Sequence, residues 1–461
     1  MASFHSQPHA LELIEFAAAL AERPLPDAIA RSAKRCLLDN FGCGLFGASQ
    51  PWAEIMLAEI ADDGSRGPCS VYGREGSVCA IAAALVNGTA IHGFELDDVI
   101  PAALVHPGTV IVPAVIAAAE AANASGAHVL AAIVAGYEAS ARISLALGLE
   151  PSQRGFHKTS VVGPVASAIA AGTVMCLSVP RLQSAVGLAC SMSSGIKAFA
   201  GGGGGGMVKR LHAGRAAEAG VRAAQLARRG FTGPTNALDG HLGLLEVFSG
   251  ASANPSMLAQ GLGEHWYIDA VWMKVYPICG WIQGVAQLLL GMRGPQPLAE
   301  TEIEKVVVGT SAFAVKHNGN YAPCDEMEAQ YSIPYCAAMA LTADPGDPNA
   351  FALDAIADTA KLALAGRVEL CVDAESEAVY PERFGSRIQL HLANGERKEA
   401  FTLDPHGTAA DPLSDDELSE KFRRLSKHAP RAVDAAAIAQ HVERLDNLHS
   451  VRELTRWLRG Q

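Results

Sequence analysis

The sequence predicts a mainly helical fold with a smaller α+β lid, and three observations carry that prediction. Through residues 1–266, apolar side chains recur at i, i+3, i+4 and i+7, the spacing of a buried helix face. Between Ile303 and Thr402 the apolar period drops to two, as in half-buried strands. After Pro412 the helical spacing returns. Residues 1–266 are therefore expected to open a large all-helical domain, 267–404 to form the α+β lid, and 405–461 to return to the helical domain.

Taken in order, Leu13, Phe16, Ala17 and Leu20 mark the first helix. Ile29, Ala33, Cys36 and Leu37 mark the second, after a Pro26-Asp27 start. Val110 to Ala122 and Ala127 to Leu147 are two further helices, broken by Asn123-Ala124-Ser125-Gly126. Val161 to Met175 and Gly214 to Arg229 continue the series. In the lid, IEKVVV from Ile303 to Val308 is a short β-branched run, and Val368, Leu370 and Val372 alternate with Glu369 and Cys371. A helix over roughly Ser332 to Leu341 lies between them. Ile388, Leu390 and Leu392 face opposite to Arg387, Gln389 and His391, and Asn394-Gly395 then leads into Glu396 to Thr402, which is a strong hairpin signal. Leu403 to Pro412 reads as a linker. Ser414 and Glu417 form a capping box for the next helix, and more helix is expected from about Ala432.

Composition narrows the function. Hydrophobic residues make up 49% and charged residues 18%, enough apolar sequence for a large core, and the 6% aromatic content favours closely packed helices. A formal charge of −12 argues against nucleic acid as a partner, because phosphate binding needs a basic face. Ten cysteines occur singly, without CxxC pairs or zinc spacing, which reads as reduced thiols in a cytoplasmic protein. The start, MASFHSQPHALEL, lacks the pattern of a signal peptide. The apolar run from Val161 to Leu177 is interrupted by Gly163, Pro164, Ser167 and Gly172, so a buried helix is expected rather than a membrane span.

Two stretches could carry chemistry. The first is GGGGGGMVKRLHAGR, from Gly201 to Arg215. Six glycines carry a large backbone entropy and lead into a helix start bearing Lys209, His212 and Arg215. Free N–H groups and cations there suit a carboxylate or phosphate; a plain surface loop with a solvated basic helix end is the alternative. The second is HGFELDDVIPAALVHPG, from His92 to Gly108, which places Glu95, Asp97 and Asp98 between His92 and His106. An acid beside a histidine can fix its tautomer for acid–base work; an acidic capping loop is the alternative. His157, Lys274 and Tyr335 are single candidates, each with a structural reading beside the functional one. P-loop and GxSxG patterns are absent, the glycine run follows helical sequence rather than a strand and so supports no dinucleotide-binding GxGxxG, and the third Asp of a terpenoid-synthase DDxxD is missing, Pro101 and then Ala102 following Val99-Ile100. No strong metal-ligand spacing is present, so no metal is expected.

Together, HGFELDDVIPAALVHPG, RGFHKTSVVGPVASAIAA, MVKRLHAGRAAEAGVRAAQLARRGFTGP, KVYPICG and AQYSIPYCAAMAL resemble the MmgE/PrpD family. That family includes 2-methylcitrate dehydratase, cis-aconitate decarboxylase and iminodisuccinate epimerase. The resemblance implies a cofactor-free homodimeric enzyme with a helical domain, an α+β lid and a site between them. Carried over residue by residue, the site comprises Glu95, Asp97, His106, His157, Lys209, His212, Lys274 and Tyr335. Two positions depart from the family pattern: Val99 stands where Thr follows the paired Asp, and Gln283 stands where the lid carries a histidine.

The expected substrate is a small di- or tricarboxylate, held by Lys209, Lys274, His212, Glu95, Tyr335 and Gln283. Proton transfer next to a carboxylate would fall to His106, oriented by Asp97, with His157 and Lys209 as further catalytic groups. Dehydration of the 2-methylcitrate dehydratase type is expected first. Epimerisation, decarboxylation and a non-catalytic carboxylate binder are the alternatives.

Overall fold

The computed structural model describes residues 9–200 and 205–460. The first four glycines of the run, 201–204, lie outside the described residues, and so does any ordering of that part. The chain is mainly helical with one small mixed sheet, 59% helix in all. It divides into two compact units. One comprises Met1–Gly93, Asp97–Val271 and Ser414–Gln461; the other comprises Phe94–Leu96 and Trp272–Leu413.

The larger unit is all-helical apart from a two-residue ladder at Cys69–Ser70 and Ser77–Val78. His9–Leu20, Asp27–Gly47, Gly108–Ala122 and Gly126–Leu147 form where the apolar spacing predicts helices. The Asn123–Gly126 break holds because Asn123 adopts a left-handed conformation and Ser125 caps the next helix at His128 N. The Lys158–Val174 helix is buried at every residue, as expected of an apolar run inside a helical core. The Gly126–Leu147 helix is long and apolar enough to cross a membrane, yet 94% of its apolar window is buried inside the protein.

The Met207–Arg228 helix begins seven residues before Gly214, where the apolar spacing put its start, and so takes in the Lys209 and His212 that the sequence reading set at a helix start. It packs backbone to backbone on its neighbours, which is where small residues matter. A Cβ on Gly214 would sit 2.3 Å from Leu85 O, and one on Gly220 would sit 2.3 Å from Ser167 Cβ. Alanine and glycine therefore let this helix approach both Ala80–Ile91 and Lys158–Val174 closely. Its early start places Lys209 and His212 in its first two turns.

The smaller unit carries a four-stranded sheet ordered Val368–Val372, Ile303–Thr310, Ser386–Leu392 and Arg397–Thr402. The first pair is parallel and the other two are antiparallel. Ile388, Leu390 and Leu392 are buried while Gln389 is exposed, so the two-residue period is real. Gly395 turns the hairpin at φ +86°. The Ile333–Thr342 helix is capped by Ser332, whose side chain accepts from Tyr335 N.

The units divide at Val271/Trp272 and Leu413/Ser414, where the sequence reading placed the breaks at 266/267 and 404/405. The expected linker, Leu403 to Pro412, is part of the smaller unit. Met273 N donates to Gly407 O (3.0 Å), and His406 N donates to Gln287 Oε1 (2.8 Å).

The Ser414/Glu417 capping box is present and starts the Asp415–Ser426 helix. That helix packs against Asp27–Gly47 and delivers the Lys421 ammonium to Asp39 (2.6 Å), both side chains almost fully buried. A partner removed from such a pair leaves a buried charge uncompensated. Lys421→Met is expected to lower the unfolding free energy by about 3–5 kcal/mol, and Lys421→Met with Asp39→Asn to recover most of that loss. Urea denaturation of the two variants measures both.

Candidate active site

Four histidines of the larger unit meet in one cluster, His92 brought there by the end of a helix and the other three by helix starts. His92 follows the Ala80–Ile91 helix and opens a 3₁₀ turn. His106 lies two residues before the Gly108–Ala122 helix, and its N–H donates to Thr159 Oγ1 in the first turn of Lys158–Val174 (3.1 Å). His157 is the N-cap of that second helix. His212 comes from the second turn of Met207–Arg228, and His157 Nδ1 lies 3.0 Å from His212 Nδ1. Three helix N-termini thus converge, and their dipoles favour negative charge at this spot.

Asp97 binds two of the imidazoles through one oxygen. Its Oδ2 lies 2.9 Å from His92 Nδ1 and 2.8 Å from His106 Nδ1. His106 Nδ1 is also 3.0 Å from Asp98 O. Two acceptors around that nitrogen require it to carry the proton, so His106 Nε2 is left as the reactive atom. The His92 and Asp97 side chains are 0% exposed, whereas that of His106 is 16% exposed, so a small molecule can reach His106.

His92, Asp97 and His106 have the residue types of a metal site, with ligating atoms within 4.8 Å of one another. A tetrahedral ion at 2.0–2.1 Å would hold its ligands about 3.3 Å apart. The 2.8 and 2.9 Å spacings are those of charge-assisted hydrogen bonds. Asp98 is equally committed: Oδ1 accepts from Gly108 N (2.9 Å), and Oδ2 accepts from Tyr137 Oη (2.5 Å) and Asn40 Nδ2 (3.2 Å). This network holds the loop that presents His106, and it leaves no Asp97-Asp98 pair facing an ion.

Burial dominates the electrostatics. It pushes His92 down to about 4, with Asp97 pulling the other way and Lys209 adding to the depression. It holds His157 well below the ordinary histidine range, helped by His92, Lys209 and His212. His212 is lowered by burial and then by Lys209. Lys209 is itself buried and acts on three of the four imidazoles. Phe199 closes the far side, its ring 5.5 Å from His157 and 5.7 Å from His212. Burial also lowers Lys158 to about 7; its Nζ donates to Ser144 O (2.9 Å).

The remaining expected site residues lie in the smaller unit. Lys274 Nζ is 3.2 Å from Glu95 Oε2, and both side chains are buried. Glu95 has φ +58°, a strained conformation for a residue with a side chain. The tyrosine beside this pair is Tyr331, whose hydroxyl donates to Glu95 Oε2 (3.4 Å). Tyr335, the tyrosine expected to bind substrate, is fully buried, and its hydroxyl donates to Ala350 O (2.9 Å). Gln283, also expected there, is a brace: Nε2 donates to Tyr276 O (2.7 Å) and Ile278 O (3.0 Å), and Oε1 accepts from Tyr276 N (3.2 Å). An amide committed at both ends, with both of its N–H donors used, holds the Lys274–Cys279 turn.

Sequence reasoning named His92 and Asp98 in the acidic stretch without a separate role for either, and it gave Tyr137 and Tyr331 none. Only the burial of His92 and the partners of the others distinguish them, and no spacing rule encodes either.

The depressed His92 predicts acid sensitivity. The folded state keeps His92 neutral, while the unfolded chain protonates it near pH 6.5. Its contribution is complete above pH 6.5 and is lost as pH falls toward 4, about 3 kcal/mol in all. Asp98, raised to about 7 by burial, works in the opposite sense. Urea denaturation from pH 7.5 to 4.5 is therefore expected to show a shallower acid loss in His92→Asn than in wild type; parallel curves would contradict this account.

Comparison with known proteins identifies the family. Residues 11–256 match the MmgE/PrpD N-terminal domain, and residues 276–447 match the MmgE/PrpD C-terminal domain. A cis-aconitate decarboxylase-like protein of Aspergillus oryzae is 30% identical over 98% of this chain and 97% of its own length. Cis-aconitate decarboxylase of Aspergillus terreus is 29% identical over 72% of this chain and 71% of its own. The human cis-aconitate decarboxylase is 27% identical over 95% and 91%. With both domains matched in order, the chain belongs to the MmgE/PrpD family.

Proposed function

We propose that this protein is a carboxylate-acting lyase that decarboxylates a small unsaturated tricarboxylate of the cis-aconitate type. The observation that carries the reading is His106, its Nδ1 held by Asp97 and its ring partly open to solvent, set among converging helix N-termini. The cis-aconitate decarboxylase relatives favour decarboxylation over the dehydration that the sequence alone put first.

The chemistry follows from charge. A tricarboxylate needs compensating positive potential, which Lys209 and the helix ends supply. Loss of CO₂ breaks a C–C bond and leaves its electron pair in a carbanion conjugated with a neighbouring carboxylate. The same positive potential stabilises that charge as it develops. His106, Nδ1–H at rest, takes a solvent proton on Nε2 and passes it to carbon, Asp97 stabilising the imidazolium while it exists. The ring returns to its Nδ1–H form. The balance is one substrate and one proton in, one product and one CO₂ out.

A second reading, epimerisation, is favoured by the presence of two imidazole groups, Asp97–His106 and His157–His212, in one cluster. It needs proton transfer on two faces and no leaving group.

Proton NMR of the protein in D₂O, with a panel of di- and tricarboxylates that includes cis-aconitate, separates the readings. Decarboxylation is expected to give new vinylidene resonances with one deuterium incorporated and CO₂ released. Deuterium wash-in with the carbon skeleton intact would instead identify an epimerase. His106→Ala is expected to lower turnover by about 10²–10⁴-fold; full turnover in that variant would remove His106 from the mechanism.

A further inference from the structure

We infer that His92 is a positioning residue of this site: its Nδ1–H, donated to the Asp97 oxygen that also accepts from His106, holds the carboxylate where it fixes the His106 tautomer. The inference rests on the reading of His106 as the proton-transferring group.

Geometry carries the argument. Two imidazole nitrogens approach one carboxylate oxygen at 2.9 and 2.8 Å. Two donors from different backbone positions restrict the carboxylate's side-chain torsions more than either would alone. His92 cannot move easily, because its side chain has no solvent exposure and its ring is held on two sides. It stacks on His157 at 5.9 Å and 16°, and meets His106 edge-on at 5.0 Å and 65°.

The proton on His92 is placed by the same surroundings. Nε2 is buried without a hydrogen-bond partner among the described residues. An unpaired N–H there would lose its hydration with nothing in return, whereas a bare lone pair costs less. The proton therefore sits on Nδ1, facing Asp97. The charged and titratable groups acting on the ring are Asp97, Lys209 and His106, with His157 stacked against it. Burial outweighs Asp97 and keeps the ring neutral at working pH. His92 thus neither transfers protons nor binds substrate; it acts through Asp97 on His106.

The test uses two variants. His92→Phe keeps an aromatic ring for the stack but has no donor. His92→Asn keeps an N–H near the Nδ1 position. His92→Phe is expected to lower kcat by about 10–100-fold, the usual effect of removing an orienting partner behind a functional group. KM should change less than about threefold, and His92→Asn should restore most of the loss. Spectra of ¹⁵N-histidine-labelled protein, assigned by loss of each signal in His92→Asn and His106→Asn, read the tautomers without turnover. His106 should be Nδ1–H in wild type and His92→Asn, and should gain Nε2–H population in His92→Phe. An unchanged His106 tautomer in folded His92→Phe, equal losses in both variants, or an Nε2–H or cationic His92 in wild type would each overturn the inference. If wild type turns over nothing in the panel, the proposed reaction fails while the tautomer comparison still decides the role of His92.

Discussion

A carboxylate with no solvent exposure must find its hydrogen bonds inside the protein, and Asp97 finds two of them on a single oxygen. Much of the larger unit's architecture serves that requirement. His92 is supplied from the end of one helix and His106 from the approach to another. The adjacent Asp98 carboxylate ties the loop to Gly108, Tyr137 and Asn40. The cluster is a polar network within an apolar helical core, and such networks are stable only when their members are satisfied together.

The helices that deliver these groups approach more closely than large side chains allow. Gly214 and Gly220 bring the Met207–Arg228 helix against its neighbours, so that its first turns reach the same point as the start of Lys158–Val174. The functional consequence is electrostatic. Helix N-termini and the buried Lys209 raise the local potential in a chain whose net charge is −12. An acidic protein can thus gather positive potential at one buried spot. The same potential, together with burial, keeps His92 and His157 neutral, whereas His106 is partly exposed.

In the smaller unit the logic is structural support for one turn. Gln283 satisfies Tyr276 and Ile278, and the turn it braces carries Lys274 to Glu95. Gln283, expected from the sequence to bind substrate, is in this chain a brace of that turn.

The helices, the hairpin and the capping box were legible in the sequence because each depends on residues a few positions apart. Periodicity placed His9–Leu20 and Gly126–Leu147, Asn394-Gly395 placed the turn, and Ser414 with Glu417 placed the C-terminal return. The motif blocks likewise marked His106, Asp97, His157 and Lys209 as candidates. Other features depended on tertiary structure. The close approach of the Met207–Arg228 helix to Ala80–Ile91 and Lys158–Val174, at Gly214 and Gly220, joins segments far apart in sequence. The choice of Tyr331 over Tyr335 turns on which hydroxyl meets Glu95 and which meets Ala350, a difference of about one helical turn. The role of His92 depends on burial and on a carboxylate shared with a residue fourteen positions away in sequence. Local pattern determines which elements form; which side chains share an atom is decided only when distant segments pack.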